Sequence, residues 1–142
     1  KGYRKPFETL HGEKEFAFIT TTLNYAISEN RVEVLALFHP SRSYTYNDRS
    51  NRLLLKHELY HFRITEVFAR KCRMNLSQKE MPSVESVEES LTESQFSENV
   101  MQQQYDRESF HGYLMKEQIR WEKKVDSLLF SMKEYEEPSI TY

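Results

Sequence analysis

A chain of 142 residues with 20 basic and 22 acidic side chains has a formal charge of -2, which supplies no strong field for nucleic acid or an anionic membrane. That length suffices for one domain with its own core, and the single cysteine, Cys72, excludes an internal disulfide. No apolar run approaches a membrane span, and no Gly-rich phosphate loop supports nucleotide chemistry.

In chain order, residues 1–13 are polar and broken by Gly2, Pro6 and Gly12, which suits an extended lead-in. The first residue is Lys1, not Met, so the sequence is silent on an export signal. Phe16 to Ser28, rich in Phe, Ile, Thr and Tyr, reads as a strand. Glu29-Asn30 is a tight turn, and Arg31 to Phe38 alternates Val32, Val34 and Ala36 against Arg31, Glu33, Leu35 and Leu37. This pair predicts an antiparallel hairpin. His39-Pro40-Ser41 ends it, because proline cannot donate to a ladder. Ser43 to Tyr46 suits a short third strand, and Asn47 to Ser50 a turn with a helix cap.

From about Asn51 to Asn75 the apolar spacing, without Pro or Gly, predicts one long helix. Asn75 to Pro82 reads as a connection. Ser83 to Glu98 is Glu- and Ser-rich, compatible with a helix or a solvated segment. Gln95 to Glu134 is again helical, with Gly112 placed to bend it or to admit close approach of the first helix. Residues 136–142 read as a tail. The expected fold is therefore a single α+β domain over 1–142, a small antiparallel sheet followed by a long helix and a second long C-terminal helix.

The first long helix carries His57-Glu58-Leu59-Tyr60-His61, an H-E-x-x-H motif. Two histidines four residues apart project about 40° apart around a helix, close enough to share one zinc ion. Glu58 sits where a carboxylate can take a proton from activated water. Ile64 and Phe68 share that face, which points it inward. A partly buried helix whose histidines only hydrogen-bond is the bland alternative. Cys72, in Arg70-Lys71-Cys72-Arg73, has cations that favour a thiolate, against the plainer reading of an inert helix-end cysteine.

A catalytic zinc site takes three protein ligands. The spare histidines are His11, His39 and His111. Glu66 lies about 180° from His57 on the same helix, which casts it as supporting or structural. His111, on a helix able to pack against the motif helix, is the first choice for third ligand, with Glu108 and then Asp106 as rivals. Asp106 is also placed to orient a histidine through its second N–H. Tyr105 has a phenol able to reach a developing oxyanion, although a packed tyrosine is the commoner reading.

The run from Leu54 to Arg70, followed by Tyr105-Asp106-Arg107-Glu108-Ser109-Phe110-His111-Gly112 with Gln118 and Trp121 downstream, resembles the DUF922 family of bacterial proteins. Those are described as zinc-dependent proteases. The resemblance implies a zincin-like fold, a Zn2+ cofactor, and catalytic roles for His57, Glu58 and His61, and it strengthens His111 as a ligand. It also implies a peptide or protein substrate and an extracytoplasmic, periplasmic or secreted setting. The alternatives are a non-catalytic zinc-binding or partner-binding module, and a zinc amidase acting on a cell-wall amide. A helical interaction protein with an accidental motif is the remaining rival.

Overall fold

In the computed structural model, residues 17–18, 21–39, 44–45 and 52–142 are described, with side chains for 21–39 and 55–142. The lead-in over 1–13, His11, and the turn and cap over 47–50 lie outside the described residues.

The Thr- and Val-rich hairpin forms as its alternation requires. Strands β2 (Thr21–Ser28) and β3 (Arg31–Phe38) pair antiparallel from Thr21↔Phe38 to Ser28↔Arg31 around the Glu29-Asn30 turn. Val32 and Val34 are fully buried, so a slip of one residue would turn both to solvent. Residues Ala17–Phe18 form a separate short strand, β1, which pairs with β4 (Tyr44–Thr45). The expected first strand is thus two strands in two sheets.

Helix α1 (Arg52–Ser77) carries the H-E-x-x-H motif and lies at the centre of the molecule. It packs on β2, β3, helix α2 (Val84–Ser109) and helix α3 (Met115–Ser131). Tyr60, Ile64, Val67, Phe68 and Leu76 of α1 meet Val32 and Val34, with Val87 and Tyr105 of α2 and Trp121, Val125 and Leu129 of α3. Each such aliphatic side chain contributes about 1.5–3 kcal/mol on burial. Ser83 caps α2 by accepting from Ser86 N at 3.1 Å, so the Glu/Ser-rich segment is helical. None of the described helices is long and apolar enough to cross a membrane.

The second long helix expected over 95–134 is two helices. Helix α2 ends in a Schellman arrangement: His111 N donates to Asp106 O (2.9 Å) and Phe110 N to Arg107 O (3.3 Å). The left-handed residue that this closure needs is Phe110, φ 53°, followed by His111, φ 55°, and Gly112, φ 90°. The left-handed role falls to a phenylalanine, two residues before Gly112, where the sequence places a bend.

The residues expected as a tail are also structural. After a 3-10 turn (Lys133–Tyr135), strand β5 (Ser139–Thr141) pairs with β3, matching Arg31↔Thr141 and Glu33↔Ser139. The sheet order is β2-β3-β5. Strand β3 is therefore central over Arg31–Glu33.

Candidate metal centre

The site forms where α1, α2 and the α2–α3 turn meet. His57 is 1% exposed, and its ring stacks on Tyr105 at 4.3 Å between centroids. Its Nε2 lies 2.8 Å from Asp106 Oδ1, and its Nδ1 lies 2.8 Å from Gln118 Oε1. His61 repeats the pattern: Nε2 is 2.8 Å from the same Asp106 oxygen, and Nδ1 faces Gln102 Oε1. His111 Nδ1 lies 3.6 Å from that oxygen. Three imidazoles thus surround one carboxylate oxygen.

Neighbours fix the orientation of both glutamines. Gln118 Nε2 donates to Glu122 Oε2 (3.0 Å) and Tyr105 Oη (2.9 Å), and Gln102 Nε2 donates to His61 O (2.9 Å). The amide oxygens must then face the histidines, so each Nδ1 carries a proton and donates it. Each Nε2 is left to face Asp106. Without a cation, the His61 ring meets that oxygen as an imidazolium. The electrostatics follow: burial opposes charge on His61, but Asp106 and Glu58 outweigh it and push its pKa up to about 9. Burial likewise opposes charge on Asp106, and the bonds from His57 and His61 overcome it, holding the carboxyl well below its ordinary range.

This donor set suits a divalent ion. Unprotonated Nε2 atoms and a carboxylate are zinc ligands, and an ion at that point would replace the protons the cluster otherwise needs. Ligand atoms of His57, Asp106 and His111 lie within 4.8 Å of one another, and so do those of His57, Glu58 and His61. Glu58, half-buried, thus stands beside both motif histidines.

Other expected residues take different places. Tyr105 is fully buried, and its hydroxyl donates to His57 O at 2.8 Å. Its proton is committed to the backbone, so it forms the floor of the site and does not face an oxyanion. Burial pushes that phenol far above its ordinary pKa. Glu108 accepts from Trp121 Nε1 (2.9 Å), Arg120 (2.8 Å) and Gln104 (2.9 Å). Glu66 accepts from Arg70 (2.8 Å) and Arg73 (3.0 Å), a structural role on the far face of α1. His39 Nε2 bonds Thr22 Oγ1 at 2.8 Å. Cys72 is buried, which pushes its thiol up and away from reactivity.

Gln102 is the site residue that sequence reasoning passes over. Its one signal is the spacing Gln102-x-x-x-Asp106, which puts both side chains on one face of α2. Gly112 allows the approach expected of it: a Cβ there would meet His57 Cβ at 3.0 Å and Cγ at 3.1 Å.

No family model matches this chain, and neither a curated protein nor a solved structure matches it.

Proposed function

We propose that this protein is a zinc-dependent hydrolase of peptide bonds, with Glu58 as general base. The observation that carries the reading is the convergence of His57 Nε2 and His61 Nε2 on one Asp106 oxygen, each at 2.8 Å. Zinc is held by His57, His61 and Asp106, with His111 at the rim as a further donor. When bound, zinc supplies a Lewis acid that makes water nucleophilic near neutral pH and polarises an amide carbonyl.

The chain's own residues do the rest. Gln118 and Gln102 hold the imidazoles in the tautomer that leaves Nε2 a lone pair. Tyr105 backs the His57 ring and keeps water from it. The Glu58 carboxylate takes the proton that water loses on attacking the carbonyl carbon, and returns it to the nitrogen as the C–N bond breaks. The resemblance to the DUF922 proteins points to a peptide or protein substrate and an extracytoplasmic setting.

One observation favours a second reading. His111 lies 3.6 Å from the Asp106 oxygen, and four protein donors on one ion would make a closed, structural site. The protein would then be a zinc-stabilised binding module.

Glu58→Gln separates the two. The hydrolase reading expects about one zinc per chain in parent and variant, with peptide hydrolysis in the parent alone. A parent that holds zinc and cleaves nothing across a broad peptide library establishes the binding module. Cleavage of a cell-wall amide in place of peptides moves the substrate to that class. Equal turnover in parent and variant removes the general base from Glu58.

A further inference from the structure

We propose that Glu98 is a positioning residue for the metal centre, acting on His61 through Gln102. The inference rests on the zinc reading above.

Glu98 lies in the middle of α2 and is 2% exposed. A buried carboxylate is costly unless donors or cations compensate it. Among the described residues no cation pairs with it. Its partners are neutral: Thr65 Oγ1 (2.8 Å) and Gln102 Nε2 (2.9 Å) donate to Oε2, and Gln95 Nε2 donates to Oε1. An apolar side chain would fill such a place at lower cost, so what the carboxylate adds is its power to accept.

Gln102 is where that power is used. Its Nε2 lies 2.9 Å from Glu98 Oε2, 2.9 Å from His61 O and 3.2 Å from Thr65 Oγ1. Turning the amide round would set its oxygen against the His61 carbonyl oxygen and against the Glu98 oxygen that already accepts from Thr65. Glu98 therefore keeps Oε1 on His61 Nδ1. That makes Nδ1 the protonated nitrogen and reserves Nε2 for the ion. The network continues to the sheet. Thr65 Oγ1, which donates to Glu98, also lies 2.7 Å from Thr21 Oγ1 at the start of β2. The chain Thr21–Thr65–Glu98–Gln102–His61 ties a metal ligand to the hairpin, using a residue outside every recognisable motif.

The test is zinc affinity, by competition with a chromophoric chelator, in the parent, Glu98→Gln and Glu98→Ala. The tautomer of His61 is read alongside by 15N NMR of the zinc-loaded parent. Glu98→Ala is expected to bind zinc about 10–100-fold more weakly, the usual effect of losing a partner behind a ligand. Glu98→Gln is expected to stay close to the parent, because its amide oxygen can still accept from Thr65 and Gln102. NMR is expected to show a protonated Nδ1 and a coordinated Nε2. Parent-like affinity in Glu98→Ala overturns the inference alone, even if that variant melts lower. If Glu98→Ala does not fold, the NMR decides: His61 coordinating through Nδ1 overturns the inference. A parent that binds no zinc overturns the metal reading and this inference together.

Discussion

Asp106 accepts from two buried or half-buried imidazoles through one oxygen, so removing it strands both rings against no acceptor. Asp106→Ala is expected to abolish stoichiometric zinc, whereas His111→Ala, at the half-exposed rim, should retain it. Elemental analysis of the two variants checks this. The reverse result would exchange the roles of the two residues. The same cluster sets a pH dependence in chelator-treated protein. The His61 pKa rises from 6.5 to about 9 on folding, so the folded state binds the proton more tightly than the unfolded one. The resulting stabilisation is complete below about pH 6.5 and is lost as pH rises through about 9. Thermal midpoints in chelator are expected to fall across that window, and apparent zinc affinity to rise, because zinc no longer competes with a proton. Gly112 is the third test at this scale. Its φ of 90° strains any side chain, and a Cβ at 3.0 Å from His57 Cβ would press on that ring. Gly112→Ala should cost about 1–3 kcal/mol in strain and weaken zinc binding with it, read by denaturant unfolding and chelator competition.

At the scale of elements, α1 presents one face to the metal centre and the opposite face to the sheet. The second attachment is Arg73, 2% exposed, whose guanidinium donates to Val34 O (2.7 and 3.0 Å), Tyr135 O (2.7 Å) and Glu66 (3.0 Å). It joins helix, hairpin and C-terminal turn at one point. Arg73→Met should lower stability by about 3–5 kcal/mol, since it leaves buried acceptors unpaired, and zinc stoichiometry should survive if the protein remains folded. Strand β5 adds a smaller attachment, reinforced by Tyr142, which donates from Oη to Leu76 O and from N to Asn30 O, both at 2.7 Å. Deleting residues 139–142 would uncover one edge of β3 at Val32. The expected outcome is a lower melting temperature with the metal centre intact, since no residue of β5 touches it.

For the whole molecule, the candidate metal centre joins α1 to α2 and, through Gln118, to α3, so an ion bound there would hold three helices together. Zinc at about 100 times its dissociation constant should add about 2.7 kcal/mol to stability, seen as a melting shift that chelator reverses and His57→Ala removes. The sequence alone determined the hairpin, its Glu29-Asn30 turn and the motif helix, because local period and turn chemistry specify these without reference to distant residues. It also determined that His57 and His61 share a helix face with Glu58 beside them, since that is a matter of angle per residue. What only the tertiary structure decided depends on partners far apart in the chain. Residues 139–141 carry a short polar pattern that becomes a strand only because β3 offers an edge. Gln102, Glu98 and Gln118 gain their roles because α2 and α3 pack on α1 so that amide oxygens meet imidazole nitrogens. A period of 3.6 residues can say that such side chains share a face; it cannot say which face meets the histidines.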